Sequence, residues 1–457
     1  MIDLVIRGGT IITASDTFVA DVGIRDGKVV QIASDLRGAG PELDATGKLV
    51  VPGAVDAHVH MAPVFGTPKA DDFESGTRAA AAGGVTSFVD FACQLEGQPL
   101  RAAVEAAQAL ARDKAIVDYS FHISVADPTP DIVAELPEVI ADGFPSLKLF
   151  MHRANFHARI TEFMRLVAQG ARHGALTAVH CEFQPVIAYV TEQLLAAGKT
   201  DPRYFPESRP IHAETAATAE AVSFCQAAEA PIYVVHLSNA QALEVTTAAR
   251  RVGLPVYVET RPVYLYLTDE RYQLPGRESG KYVVFPPLRT KLDQKALWDG
   301  LGSGLIHTLA TDHSPITTDA KTDPCRTFAE IPPGAPAIQT LLPMLYSEGV
   351  AKGRITANRW VELVSTNPAK LFGLYPDKGT IAVGSDADLV VFDPAVTRTI
   401  DGARMHSRAG HDPFDGFQVQ GWPSVTLSRG EVVYEKDRVV GRPGRGKLLR
   451  RRRFTTL

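Results

Sequence analysis

Two histidines one residue apart close the run Val55-Asp56-Ala57-His58-Val59-His60-Met61. The run reads as a buried β-strand. Alternate side chains of a strand face the same way, so His58 and His60 emerge together and can chelate one metal ion. Further on, His180, His236 and Asp312 each end a short apolar run of strand character, and Lys148 sits within one. Imidazole and carboxylate suit zinc and other divalent first-row metals. Lys148 differs in kind, because an ammonium set between Leu147 and Leu149 needs a partner or a lowered pKa. Taken singly, each residue has another reading. His180 and His236 fit strand-end histidines bonded to loop carbonyls, and Asp312 fits a helix cap. Whether the six converge depends on the elements that carry them.

Those elements form a regular series. Strand patterns over residues 55–61, 85–91, 119–125, 147–150, 176–180, 232–236, 255–259 and 305–312 alternate with helical patterns over 100–114, 131–141, 160–173, 186–197, 213–228, 240–252 and 337–351. Eight strands alternating with helices predict a (β/α)8 barrel, whose chemistry sits at the C-terminal strand ends. His58 and His60 then lie on strand one, Lys148 on strand four, His180 on five, His236 on six and Asp312 on eight, all at one mouth. Both chain ends have a different texture. Residues 20–24 and 28–32 flank Asp26-Gly27, and 425–428 and 432–435 flank Arg429-Gly430, which are hairpin signals. The expected organisation is a small β-sandwich domain from residues 1–51 and 377–440, a barrel over 52–376, and a basic tail over 441–457. The tail carries Arg450-Arg451-Arg452-Arg453 and reads as a solvated end or a subunit contact.

Composition narrows the class. The chain has 457 residues, enough for a large core and a smaller one. A net charge of −5 argues against nucleic acid as the main partner. Four scattered cysteines point to a reducing compartment, no apolar run reaches membrane-spanning length, and the start resembles no signal peptide. The expectation is a soluble cytoplasmic protein without a membrane partner.

The motifs around the six residues resemble the hydantoinase and dihydropyrimidinase branch of the cyclic amidohydrolases. They are Pro52-Gly53-Ala54-Val55-Asp56-Ala57-His58-Val59-His60, Gly76-Thr77-Arg78 through Gly83-Gly84-Val85-Thr86, Ser146-Leu147-Lys148-Leu149-Phe150-Met151, Val179-His180-Cys181-Glu182, Pro286-Pro287-Leu288-Arg289, Thr311-Asp312-His313 and Asn367-Pro368-Ala369-Lys370-Leu371-Phe372-Gly373-Leu374. The resemblance implies two divalent metal ions per chain, zinc or another first-row metal such as manganese, bridged by a CO2-derived carbamate on Lys148. One ion would take His58, His60, Lys148 and Asp312; the other Lys148, His180 and His236. It implies a hydroxide made at the metals, whose bound water falls in pKa from ~15.7 toward ~7, attacking a ring amide carbonyl. Asp312 would carry the proton to the leaving nitrogen. Glu182 and His313, beside ligands, become candidates for orienting them or for bonding local backbone. A homotetramer is the assembly the resemblance suggests.

Three positions depart from the branch pattern. A tyrosine normally stands five residues after the bridging lysine, where this chain has Arg153. A serine normally precedes the double proline, where it has Phe285. An asparagine normally precedes the glycine of the strand-eight loop, where it has Pro333. These three are the expected substrate contacts, and they alter the ring-recognition set while the metal set stays complete. Allantoinase-like or dihydroorotase-like activity is the nearest alternative. Dihydroorotases usually carry an arginine two residues after the second histidine, where this chain has Ala62. A non-catalytic scaffold like the collapsin response mediator proteins is the alternative of another class, and the complete ligand set argues against it. The loops 62–72 and 152–160 are expected to wall the pocket.

Overall fold

The computed structural model describes residues 2–61, 63, 67 and 69–457. Eight parallel strands form one sheet in chain order: Ala54–Asp56, Val85–Cys93, Asp118–Ser124, Ser146–Phe150, Leu176–His180, Ile232–Val234, Val256–Thr260 and Thr308–Leu309. Just past the ends of the first and last strands, the His60 N–H donates to the His313 carbonyl at 2.7 Å and Val59 bridges His313. The eight-strand reading therefore holds, and the sheet curls into a nearly closed barrel. Its strands are buried along nearly their whole length, only Cys93 and Phe150 at strand ends being partly exposed, which is why they read as near-continuous apolar runs.

Several strands are shorter than their sequence patterns. The first was expected to run through Met61 and ends at Asp56. The Asp56 carboxylate takes over the hydrogen bonding there, accepting from the backbone of His58 at 3.3 Å and Thr311 at 3.1 Å and from the Thr311 hydroxyl. The two histidines thus stand on the loop just past the strand. The expected helix over 337–351 is a 3-10 turn, Ile338–Thr340, an α-helical turn, Leu341–Leu345, and a π turn, Tyr346–Val350. Pro343, which has no N–H to donate, sits in the middle of that run.

The chain ends build a second, nine-stranded sheet. Leu49–Pro52 pairs antiparallel with Leu389–Thr399 and so joins the two ends. Asp26 and Gly27 both have positive φ, 51° and 74°, as do Arg429 and Gly430 at 46° and 73°. That is the geometry of a two-residue hairpin matched to strand twist. Ile6, Ile11, Val22, Val50, Leu389 and Leu427 form a separate apolar cluster, the core of this sandwich.

The basic tail docks against the barrel, with Arg451 buried while Arg450, Arg452 and Arg453 stay exposed. Its backbone pairs with Tyr119 through Lys447 O and Leu449 N, and Arg451 N donates to Gly143 O. The Arg451 side chain is 4% exposed and donates to Ser120 Oγ, Phe121 O and Ser146 Oγ. It lies at the starts of strands three and four, the end of the barrel opposite the histidines, where free strand-start carbonyls and hydroxyls give a guanidinium partners. Among the described residues no helix is long and apolar enough to cross a membrane.

Candidate metal centre and active site

The mouth gathers the six residues that the strand ends promised. His60 Nε2 lies 3.0 Å from Asp312 Oδ1, and His58 Nε2 lies 3.5 Å from both Asp312 Oδ1 and Lys148 Nζ. The His180 and His236 rings are 4.4 Å apart, and His58 and His236 are 5.5 Å apart. His58, His60, Lys148, His180, His236 and Asp312 are all buried. His236 and Asp312 both have positive φ, 41° and 48°. Non-glycine residues hold that backbone only where surroundings enforce it, and such sites cluster at functional positions. Strands six and eight stop early, at Val234 and Leu309, and these left-handed residues follow.

Hydrogen bonds outside the cluster fix how each imidazole presents its nitrogens. Glu259, fully buried, accepts from His58 Nδ1 at 2.8 Å, from the His236 backbone at 2.9 Å and from the Tyr233 hydroxyl at 2.8 Å. A carboxylate only accepts, so His58 donates from Nδ1 to Glu259, and this bond aims its Nε2 at Asp312 and Lys148. Glu182 accepts from His180 Nε2 at 2.6 Å and is itself gripped by Arg209 at 2.8 and 2.7 Å. This leaves His180 Nδ1 as the acceptor, so Glu182 does orient a histidine. His313 differs: its Nε2 donates to Asp71 at 3.1 Å and its Nδ1 accepts from the backbone of Ala337 at 3.2 Å. It ties the strand-eight loop to the start of the helix Phe73–Ala82 and reaches the cluster through its own carbonyl.

Electrostatics separate the bases from the acid. Burial pulls His60 down to about 3, His180 down to about 4, and His236 well below the usual histidine range, so these imidazoles are neutral at pH 7, the form that can ligate a metal. Burial alone would raise Asp312. Arg261, whose Nη1 lies 2.7 Å from Asp312 Oδ2, outweighs it with His58 and His60 and holds the carboxyl well below its ordinary value. Burial pulls Lys148 down to about 8, against the opposing pull of Glu259 and Asp312. Among the described residues the buried Nδ1 atoms of His60 and His236 find no hydrogen-bond partner. Neutral imidazoles with unspent nitrogens around one carboxylate fit a divalent metal, and His58, His60 and Asp312 offer ligand atoms within 4.8 Å of one another.

A cavity of about 340 Å3 opens onto this cluster. Arg153, Phe285 and Pro333 all line it, so the three departures from the branch pattern face one space. Phe285 stacks on Phe205 and lies under the Arg209 guanidinium at 3.5 Å. From the two loops expected to wall the pocket, Thr67, Lys69, His152 and Arg153 contribute. Ala62, the position of the dihydroorotase comparison, lies outside the described residues, as do residues 64–66 and 68. Sequence reasoning passed over Glu259, Arg261, His152 and Lys69. Glu259 and Arg261 could have been found, since they stand at the C-terminal end of strand seven, the position that marks chemistry in this fold. His152, whose ring lies 4.1 Å from that of His180, sits directly before Arg153. Lys69 had no local signal.

The Amidohydrolase family model matches residues 49–433. The D-hydantoinase of Geobacillus stearothermophilus is 44% identical over 457 residues, 99% of this chain and 97% of that protein. The D-phenylhydantoinase of Escherichia coli K12 is 38% identical over 457 residues, 99% of this chain and 98% of that protein. The crystal structure of dihydropyrimidinase from Brevibacillus agri superposes with a TM-score of 0.97 at 43% identity, covering all of both chains. Family and cluster together support divalent metal binding. With its barrel, its histidine-rich mouth and full-length relatives of this kind, the chain belongs to the amidohydrolase family, in the hydantoinase and dihydropyrimidinase branch.

Proposed function

We propose that the protein hydrolyses a ring C–N bond of a cyclic amide, imide or ureide, such as a hydantoin or a dihydropyrimidine. The observation that carries this reading is the convergence of His58, His60, Lys148, His180, His236 and Asp312 beside a cavity sized for a small ring. His58, His60, Lys148 and Asp312 would hold one ion, and Lys148, His180 and His236 a second, with zinc or manganese as the candidates. A lysine pulled down to about 8 exposes a useful fraction of neutral amine, the form that adds CO2, and the resulting carbamate would bridge two cations. Such a pair supplies polarisation of the ring carbonyl and an acidified water.

The remaining work falls to side chains. Asp312, kept ionised by Arg261, takes the proton of the attacking water and returns it to the departing ring nitrogen. Glu259 and Glu182 hold His58 and His180 in fixed tautomers. Arg153 offers a planar, permanently charged fork to the developing oxyanion or to an acidic group. Phe285 and Pro333 replace polar contacts with an apolar wall. The product is a ring-opened carboxylate, an N-carbamoyl amino acid for hydantoins and dihydropyrimidines. We also propose a cytoplasmic homotetramer, which light scattering checks by mass.

The test combines elemental analysis with a hydrolysis panel of hydantoins, dihydropyrimidines and cyclic imides. About two ions per chain are expected, with unsubstituted hydantoin and dihydrouracil poor substrates. Arg153→Ala and Arg153→Tyr should lose about tenfold to a hundredfold in rate on the best substrate, the range of a lost charge-assisted hydrogen bond. No transition metal after growth with added zinc or manganese, or no ring opened, refutes the reading.

A further inference from the structure

Lys69 is the cation in the mouth that neither the metal set nor the acid–base scheme uses. Among the described residues its ammonium has one hydrogen bond, to Ser314 Oγ at 2.7 Å. Among the described residues no carboxylate lies within ion-pair distance of it. An ammonium has three donors, so two remain for a ligand. Ser314 follows Asp312 by two residues, which sets this group beside the reacting end of the cavity. Gly334, with φ at +131°, backs onto Ser314 so closely that a Cβ there would strike the serine carbonyl and hydroxyl. The chain thus keeps Ser314 clear for Lys69.

Lys69 also stands where two cavities meet. With Thr67, Phe285 and Pro333 it lines both the 340 Å3 space that opens on the histidines and an outer one of about 600 Å3. The outer space is walled by the apolar Ile316, Ala320, Ala329, Ile331 and Pro332, with Thr317, Arg326 and Glu330 adding polar and charged groups. The inner space has room for a ring and the outer one for what the ring carries. Burial pulls Lys69 down to about 8, against the pull of Asp312 and Asp90, so most of it keeps its proton at pH 7. A largely buried charge with no carboxylate at ion-pair distance among the described residues is costly, and an anion from the substrate would compensate it.

We infer that Lys69, with the Ser314 hydroxyl, is a specificity residue that binds a carboxylate on the ring's substituent. The preferred substrates are then cyclic ureides or amides with an acidic side chain. This rests on the ring-hydrolysis reading above. Water adds across one ring C–N bond, the nitrogen gains a proton, and the product carries the new carboxylate beside the original one.

The experiment pairs two isosteric substrates, hydantoin-5-acetate and its neutral carboxamide, on metal-loaded enzyme. Wild type should favour the acid at least tenfold in kcat/KM. Lys69→Met should cut that ratio at least tenfold, and Lys69→Arg should restore most of it. Lys69→Gln serves if the methionine variant does not fold. Equal rates for acid and amide in wild type, or an unchanged ratio in the variants, overturn the inference. Hydrolysis of the amide alone, or of other hydantoins alone, would do the same while leaving ring hydrolysis intact. If no ring is opened, calorimetric binding of the acid against the amide decides on Lys69 separately: tighter binding of the acid that is lost in Lys69→Met supports it, and equal binding overturns it.

Discussion

Two lysines are buried at opposite ends of the barrel, and they are pushed in opposite directions. Lys378, 2% exposed, donates to Asp118 at 2.7 Å, Asp386 at 2.9 Å and Asp388 at 2.6 Å. Burial works against its charge, but the three carboxylates outweigh it and raise the lysine above its ordinary value. Arg429 adds a second cation on Asp118 at 3.1 Å. Asp118, Asp386 and Asp388 are close enough together to suggest a cation site, yet the cation is the chain's own lysine. The cluster fastens the two-ended β-sheet to the start of strand three. Lys148, fully buried, has no carboxylate at ion-pair distance among the described residues, only His58 Nε2 at 3.5 Å and the rings of Phe91 and Phe150 at 5.4 and 5.1 Å. Burial therefore wins and lowers it. A buried charge that the fold compensates holds the structure together. One that the fold leaves uncompensated is available for chemistry.

The largest test of this contrast is Lys148→Ala. Activity should fall on the order of 10^4-fold, ~5.5 kcal/mol in the barrier, with loss of part of the metal by elemental analysis and a retained melting transition. Short carboxylic acids should restore some activity by standing in for the bridge. Lys378→Ala should show the reverse pattern. Removing one partner of a buried ion cluster costs about 3–5 kcal/mol, read as a lower denaturant midpoint, while folded protein at low temperature keeps its metal. If Lys378→Ala lost metal and Lys148→Ala lost stability, the comparison would be wrong.

A smaller effect sharpens the mouth itself. Arg261→Met removes the charge-assisted bond to Asp312, worth about 1.5–3 kcal/mol, or tenfold to a hundredfold in kcat/KM. The smallest effect is in the pH dependence of metal-free protein. Lys148 is pulled from an ordinary 10.5 to about 8 in the folded state, so between those values the unfolded chain holds more protons and stability rises with pH. Urea melts should show wild type gaining on Lys148→Met from about pH 8 to 10.5. Lys378 is raised instead, so its stabilisation is complete below about pH 10.5 and is lost only above that. Lys378→Met should therefore differ from wild type by a constant amount between pH 6 and 9.

Much of the mouth was legible because barrel chemistry sits at strand ends, and strand ends are local signals. His58, His60, Lys148, His180, His236 and Asp312 could each be placed by the apolar run before it. Arg153, Phe285 and Pro333 were found as departures from a pattern, and they share one cavity. The first strand was read too long because nothing local announces that the Asp56 carboxylate will bond Thr311 and end it. The arginine tail was read as a solvated end or a subunit contact because its composition is that of a surface, and nothing local shows that Arg451 turns inward.

By itself, then, the sequence determined the alternation of strands and helices, the Asp-Gly and Arg-Gly hairpins, and the set of ligand types at the mouth. Each of these follows from preferences of neighbouring residues. Only the tertiary structure decided which charges meet. Arg261 reaches Asp312 across 51 residues, Glu259 fixes His58 across 201, Lys69 meets Ser314 across 245 and Lys378 joins Asp118 across 260. Arg451 finds Ser120 across 331. Such pairings depend on how the barrel closes and not on local propensity, and closure brings together side chains whose own neighbourhoods carry no sign of each other.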